Sequence, residues 1–408
     1  MRKDVLFMCQ FFYPEYVSSA LLPYQTAIGL RNSGLTIDIM CGYPKEYMGK
    51  EKIILKKEVV EGMTIFRKKY LQLGRKNFLS RLINYFSFTA TMILNIMKCR
   101  NYKVIIVYSN PPILPLVAIV AKKLFQCKII FVAYDLYPEI AERTNAIQES
   151  SLISKVMRKI NSKLYPNAAQ VVALSNDMKN FIVSERKVES DRVSVIQNWA
   201  TENFQVTSIK SREFSALREK YQIIVSYFGN MGTAQDIETI IDVISNPLIP
   251  KNKIAFLFAG HGNKQEEIKN VINNFRLENC YLYDYLSGND FNDALNITNF
   301  FIVSLEKDLA GLAVPSKTYS YYQAEKPVIA IMNTDTDISK EICENNAGIS
   351  VKNGESEKLV NWLLVLLKDK NQILQMEINM KSLVTQSYSR DIQIEKYRNM
   401  IFKVLEEK

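Results

Sequence analysis

The chain is short of the residues that carry most metal and acid–base chemistry. Its 408 residues include a single histidine. The six cysteines, Cys9, Cys41, Cys99, Cys127, Cys280 and Cys343, are scattered with no C-x-x-C pair, which argues against a structural zinc site. Most of them sit in apolar runs, where thiols act as small buried hydrophobes, and they point to a reducing, cytoplasmic compartment. No G-x-G-x-x-G follows the first apolar strand, where Cys9-Gln10-Phe11-Phe12 stands instead, and this speaks against a dinucleotide oxidoreductase. No D-x-D pair lies in a suitable loop, so no divalent ion is expected. No signal peptide is expected either, since Met1-Arg2-Lys3-Asp4 reads as running straight into a strand.

Long apolar runs are lacking too. Phe78 to Met97 comes nearest to the ~20 residues that cross a bilayer, but Arg81, Asn84, Ser87, Thr89 and Asn95 interrupt it. Two readings of this segment stand. It is a buried domain helix, or it lies on an anionic membrane face with Arg75, Lys76, Lys98 and Arg100 drawing lipid to its flanks.

What is present is a folded, basic chain. Hydrophobic residues make up 48% and charged residues 23%, with a formal net charge of +10. That excess favours an anionic partner: nucleic acid, anionic lipid or phosphate-bearing substrates. The 22 tyrosines fall mostly in strands and helices, where core packing explains them better than base stacking, so nucleic acid is not expected. The length suits two domains. In the first half, apolar strands at Val5–Cys9, Thr36–Met40, Val59–Arg67, Lys103–Tyr108, Lys128–Ala133, Ala168–Leu174 and Val193–Ile196 alternate with helical stretches. Such alternation predicts a doubly wound parallel sheet. Polar residues from about 200 to 220 read as a linker. A second strand–helix alternation follows, and residues 386–408 read as a charged helical tail.

Three loops of the second half carry the strongest functional signal. Ile223–Phe228 leads into Gly229-Asn230-Met231-Gly232, with Gln235 and Asp236 opening the next helix. Ile254–Ala259 leads into Gly260-His261-Gly262, and Phe300–Leu305 leads to Gly311 through Pro315-Ser316-Lys317. Strand, small-residue loop and helix start is how an α/β sheet builds a phosphate site. Glycine lets backbone N–H groups approach a phosphate, Ser316 is placed to cap a helix, and Lys317 supplies a cation. A solvated surface lysine is the plainer reading of Lys317. In the first half, Asp135 and Glu139 follow a buried strand and read either as a helix-start pair or as groups facing the reaction.

At these residues the chain resembles the family four glycosyltransferases of GT-B architecture, near the subgroup that builds bacterial capsule, O-antigen and exopolysaccharide chains. The resemblance runs through Phe11-Phe12-Tyr13-Pro14-Glu15, Tyr134-Asp135-Leu136-Tyr137-Pro138-Glu139, Asp191 through Ala200, the three loops, and Lys326-Pro327-Val328-Ile329-Ala330. It implies two Rossmann-like doubly wound domains facing a central cleft. Residues 1–202 would bind acceptor and 203–385 the nucleotide sugar, with 386–408 returning to the first domain. It implies donor contacts at Gly229, Asn230, Gly232, Gln235, Gly260, His261, Gly262, Pro315, Ser316, Lys317 and Tyr319. Acceptor contacts would come from Tyr16, Ser18, Ser19 and Glu139, and catalytic roles from Asp135 and Lys317. The family's paired glutamates are replaced by Leu312 and Ser320, its histidine by Tyr134, and its first-loop glycines by Ser18-Ser19.

The implied reaction is retaining transfer from a nucleotide sugar, UDP-linked, with no metal or cofactor. The departing diphosphate would take the acceptor's proton. The implied acceptor is a lipid-diphosphate-linked glycan at the inner membrane face, reached by peripheral association. A sugar-nucleotide epimerase on two nucleotide-binding domains is the alternative, but it would be expected to carry more histidine and acid residues. A non-catalytic binding protein is the remaining one.

Overall fold

The computed structural model describes residues 2–45, 54–74, 78–201, 204 and 208–407, which form two compact units. The first unit comprises Met1–Thr201, Gly311–Val314 and Arg390–Lys408, and the second Glu202–Ala310 and Pro315–Ser389. The boundary expected at 202/203 and the basic flanks Arg75 and Lys76 lie outside the described residues.

In the first unit the order is β1 (Lys3–Cys9), α1 (Ser18–Asn32), β2 (Ile37–Gly42), β3 (Lys57–Val60), β4 (Met63–Lys68), α2 (Phe78–Leu94), β5 (Tyr102–Tyr108), α3 (Pro115–Phe125), β6 (Lys128–Val132), α4 (Glu139–Arg143), α5 (Leu152–Asn167), β7 (Gln170–Ala173), α6 (Asn176–Arg186) and β8 (Val193–Val195). The strands form one sheet in the order β3-β4-β2-β1-β5-β6-β7-β8. Every pairing is parallel except that of β3 with β4. Helices on both faces force the central strands to be apolar on both sides. Accordingly β2 is buried along its whole length, and β1 and β5 over their last five residues.

Val59–Arg67 is not one strand. Glu61 and Gly62 take φ of 48° and 71°, the left-handed pair of a tight hairpin turn, so the chain reverses and β3 pairs antiparallel to β4. Arg67 points inward from β4 with its side chain fully buried and is paired with Glu58 at 2.6 Å.

The second unit contains α7 (Arg212–Lys220), β9 (Ile223–Phe228), α8 (Glu238–Ser245), β10 (Ile254–Ala259), α9 (Gln265–Asn274), β11 (Cys280–Tyr283), α10 (Gly288–Ile297), β12 (Phe300–Ser304), α11 (Lys317–Gln323), β13 (Val328–Ile331), α12 (Asp337–Glu344), β14 (Gly348–Val351), α13 (Ser356–Leu366) and α14 (Lys370–Leu383). Its six strands run in the order β11-β10-β9-β12-β13-β14 and are all parallel. The order reverses direction beside β9, where β10 lies on one side and β12 on the other. That is the point at which an open α/β sheet presents a crevice at its strands' carboxyl ends.

The tail is α15 (Arg390–Glu406). It joins the first unit, where Tyr397, Met400, Ile401 and Val404 enter the hydrophobic core. Its approach to α1 is close enough that a Cβ on Gly29 would lie 2.4 Å from Ile394 Cδ1. Lys128 Nζ donates to Val404 O at 2.7 Å, fixing the end of the tail against β6.

Candidate active site

The second unit holds a cavity of about 160 Å³ at the carboxyl ends of β9 and β12. Its walls include Gly229, Asn230, Gln235, Pro315, Ser316 and Lys317, together with Tyr227, Ser304 and Tyr321. The first and third loops therefore meet, as expected. A Cβ on Gly229 would lie 3.2 Å from Lys317 Cγ, so the lysine's stem lies across that glycine. Its Nζ stands 5.8 Å from the centre of the Phe291 ring.

The second loop supports the first from behind. A Cβ on Gly260 would fall 1.9 Å from Gly229 O, and one on Gly262 would fall 2.2 Å from Met231 O. Backbone bonds join the loops: Gly229 N donates to Ala259 O and Met231 N to His261 O, both at 2.8 Å. This corrects the expected role of the glycines. The N–H groups of Gly229 and Met231 are spent on loop–loop packing, and that of Gly232 donates to Gln235 Oε1 at 3.1 Å. Glycine is required at 260 and 262 because another backbone presses on them, with φ of 134° and 153°. Polar side chains at the cavity include those of Asn230, Ser316 and Lys317.

Gln235 braces the first loop as well as lining the cavity, its Oε1 also accepting from Asn230 Nδ2 at 3.4 Å. Tyr227 OH donates to Asn230 O at 2.7 Å. Asp236 is buried and caps α8, accepting from Thr239 N at 2.9 Å and Thr239 Oγ1 at 2.6 Å. Ser316 does not cap α11: its φ and ψ of −62° and −24° are helical, and its side chain makes no capping bond. α11 has only seven residues, so its dipole is small and the Lys317 charge dominates the electrostatics.

Five expected donor residues do not line this cavity: Gly232, Gly260 and Gly262, which pack the loops, and His261 and Tyr319. His261 is exposed, and its carbonyl rather than its ring touches the first loop. Tyr319 is buried with its ring 6.0 Å from that of Tyr388, while Tyr321 takes the wall position. Tyr321 OH donates to Phe228 O at 2.6 Å and accepts from Phe228 N at 2.9 Å.

Sequence reasoning missed Lys264. Its Nζ donates to Gln235 O and Glu306 Oε1, both at 2.9 Å, and to Glu238 Oε2 at 3.0 Å. Burial works against this charge, but Glu306 and Glu238 outweigh it and hold the amine above the ordinary lysine pKa. Its partners lie up to 42 positions away in sequence, so no local signal marks it.

Asp135, Glu139, Tyr16, Ser18 and Ser19 belong to the first unit. Asp135 follows β6, with Ser109 Oγ accepting from its backbone N at 3.3 Å and from Tyr134 N at 3.0 Å. Burial pushes the Asp135 carboxyl up to about 6. The β1–β5 register sets Met8 beside Val107, and Gln10 and Ser109 follow at the same sheet edge. Three buried atoms there, Gln10 Oε1, Tyr108 OH and Asn110 Oδ1, have no hydrogen-bond partner among the described residues. Gln10 and Tyr108 are almost wholly buried, so of the three only Asn110, half-buried next to Ser109, is within reach of a ligand near the Asp135 segment. None of the three was singled out from sequence, since unsatisfied groups are visible only in three dimensions.

Glu139 is otherwise occupied. Its Oε2 pairs with Arg186 and its Oε1 lies 3.4 Å from Arg158 Nη1, so it ties α4 to α5 and α6 instead of presenting a carboxylate to an acceptor. Ser18 and Tyr16 are exposed and Ser19 half-buried at the start of α1. Among the described residues no cluster of His, Cys, Asp or Glu could hold a metal ion.

Residues 24–201 match the family model Glycosyltransferase Family 4, and residues 222–369 match Glycosyl transferases group 1. A Pseudomonas aeruginosa protein named "Probable glycosyltransferase WbjE" is 25% identical over 318 residues, covering 76% of this chain and 77% of that protein. Among solved structures, Anabaena Alr3699/HepE, crystallised with UDP and glucose, is 13% identical with a TM-score of 0.68 over the whole of both chains. Sucrose-phosphate synthase from Thermosynechococcus elongatus is 14% identical with a TM-score of 0.71 over 99% of each chain. These structures share the GT-B fold.

Proposed function

The chain belongs to the glycosyltransferases, with a family 4 model over its first half and a group 1 model over its second, and on that premise we propose that it moves a sugar with retention from a UDP-linked donor to a lipid-diphosphate-linked glycan in bacterial surface polysaccharide synthesis. The observation that carries the donor part is the lodging of Lys317 across Gly229 in the second-unit cavity. An ammonium there neutralises a diphosphate as the glycosidic bond breaks, with Asn230 and Ser316 as further hydrogen-bonding groups. The UDP bound by the Anabaena neighbour supports the choice of nucleotide.

Asp135 and Asn110 are assigned to the acceptor. An incoming hydroxyl held by these two side chains is thereby oriented, an entropic contribution to rate. The departing phosphate accepts the hydroxyl's proton, and no residue is required as a covalent nucleophile. No metal is assigned to the reaction. The acceptor's lipid places the enzyme at the inner membrane face as a peripheral protein; no described helix is long and apolar enough to cross a membrane.

The test is incubation with a panel of UDP-sugars and a lipid-diphosphate-linked acceptor, with NMR of the product. Transfer with the donor's anomeric configuration kept is expected. Donor hydrolysis without transfer, or an inverted product, would contradict the proposal.

A further inference from the structure

In the second unit, side chains from two further loops bridge the crevice between β9 and β12. β10 flanks β9 on one side, and β14 lies beyond β12 and β13 on the other. The loop after β10 carries Lys264, and the loop after β14 carries Asn353. Each reaches the same two stretches of chain, at neighbouring positions. Lys264 Nζ donates to Gln235 O and to Glu306 Oε1, both at 2.9 Å. Asn353 Nδ2 donates to Asp236 Oδ2 at 2.8 Å and to Leu305 O at 3.0 Å. Between them, Glu306 N donates to Ala234 O at 2.9 Å. The approach to α8 is thus joined to the exit of β12 by a backbone bond and two side-chain braces.

Both joined stretches border the cavity. Ser304 ends β12 on one of its walls, and Gln235 stands on another. Gln235 passes the restraint on, because its Oε1 accepts from Gly232 N at 3.1 Å and from Asn230 Nδ2 at 3.4 Å. Asn230 is one of the groups offered to the diphosphate. The described residues that line the cavity include neither Lys264 nor Asn353, so these two act on a donor indirectly. Their own loops are anchored in turn. Lys264 N donates to Met231 O at 2.9 Å, and Gly354 N donates to Thr239 Oγ1 at 2.7 Å. Only 11% of the Lys264 side chain is exposed, and a charge so enclosed makes strong, directional hydrogen bonds.

We propose that Lys264 and Asn353 are positioning residues for the donor: together they fix the first loop against the exit of β12 and so hold Asn230 toward the diphosphate. The inference rests on the reading above that this cavity takes a nucleotide sugar. Lys264 is not a phosphate ligand itself. An ammonium has three N–H donors, and here they go to Gln235 O, Glu238 Oε2 and Glu306 Oε1. Asp236 is committed in the same way, since its Oδ2 accepts from both Thr239 Oγ1 and Asn353 Nδ2. What the two braces control is the shape of the loop that Lys317 faces.

The experiment is calorimetric titration of the full chain with UDP, alongside hydrogen exchange of residues 229–235. Lys264→Met should weaken UDP binding about tenfold and Asn353→Ala about fivefold, on the scale of one lost hydrogen bond to a charged and to a neutral group. The double variant should lose more than the product of the two, since either brace alone still holds the loop. Lys264→Arg should recover most of the loss of Lys264→Met. Glu306 and Glu238 keep 35% and 60% exposure, so water can take the place of the lysine and the Met variant should fold. Exchange in residues 229–235 should quicken in both single variants while β9 and β10 stay protected. UDP binding as tight as wild type in variants with a lowered Tm would make the braces ties of the fold alone and overturn the inference, as would unchanged loop exchange. Failure of the wild type to bind UDP, with faster loop exchange in the variants, would instead fault the donor reading: the braces would hold the loop, but for another ligand.

Discussion

Lys317 is the residue on which the donor chemistry turns. Replacing it by alanine should lower turnover by one to three orders of magnitude, about the effect of losing one oxyanion donor. Steady-state kinetics would show a raised donor KM together with the lower kcat, and wild-type kcat/KM would mean that the diphosphate lies elsewhere. Gly260 tests the loop packing. Alanine there would set its Cβ 1.9 Å from Gly229 O, which neither backbone can yield, and should destabilise the protein by about 3 kcal/mol. A Tm unchanged from wild type would show that the loops do not press on each other.

Asp135 gives a pH signature. Its carboxyl is ordinary in the unfolded chain but holds its proton up to about pH 6 in the native state. Between about pH 4 and 6 the native state therefore binds more protons than the unfolded one, and stability falls as pH rises through that window. Asp135→Asn removes the charge and should be more stable than wild type at pH 7 by about 2 kcal/mol, discounted for partial exposure. The two proteins should converge near pH 4. Parallel stability curves from pH 4 to 7 would contradict the assignment.

At the scale of elements, the strands were legible because parallel strands covered on both faces are continuous apolar runs, as β1, β5, β9 and β10 show. The β3–β4 hairpin was not, because Val59 through Arg67 is a single β-prone run and only the left-handed pair Glu61-Gly62 divides it. The donor loops were legible from their glycines and the Pro315-Ser316-Lys317 run. Their division of labour was not. Nothing local says that Gly229 N is spent on Ala259 O, or that Glu139 answers to Arg158 and Arg186.

Two element-level outcomes follow from the packing. Gly29→Val should push Ile394 out of its seat and destabilise the contact between α1 and α15 by about 2 kcal/mol; limited proteolysis would show earlier release of the tail. Asn110→Ala at the β5 edge should raise the acceptor KM about tenfold, the scale of one lost hydrogen bond, and leave donor affinity as it was. A changed donor affinity with acceptor KM intact would reverse the assignment of the two sites.

For the whole molecule, the charge of +10 already favoured an anionic partner, but the sequence could not sort its lysines. Lys56, Lys57, Lys68, Lys69 and Lys98 become one bowl only through the β3–β4 hairpin and the turn after α2, while Arg158, from an equally basic stretch, is neutralised by Glu139, Glu142 and Glu149. Net charge thus separates into a lysine-lined face and charges neutralised in ion pairs such as those of Arg158. The apolar residues of α2 divide in the same way between core and surface: Phe88 and Met92 are buried, while Leu79, Phe86 and Leu94 are exposed.

The most direct test is a thermal-shift screen of nucleotide sugars and NAD against wild type and Lys317→Ala. A UDP-sugar should raise the wild-type Tm and should lose most of that effect in the variant. Stabilisation by NAD alone, or an equal UDP-sugar shift in both proteins, would contradict a diphosphate held across Gly229 by Lys317.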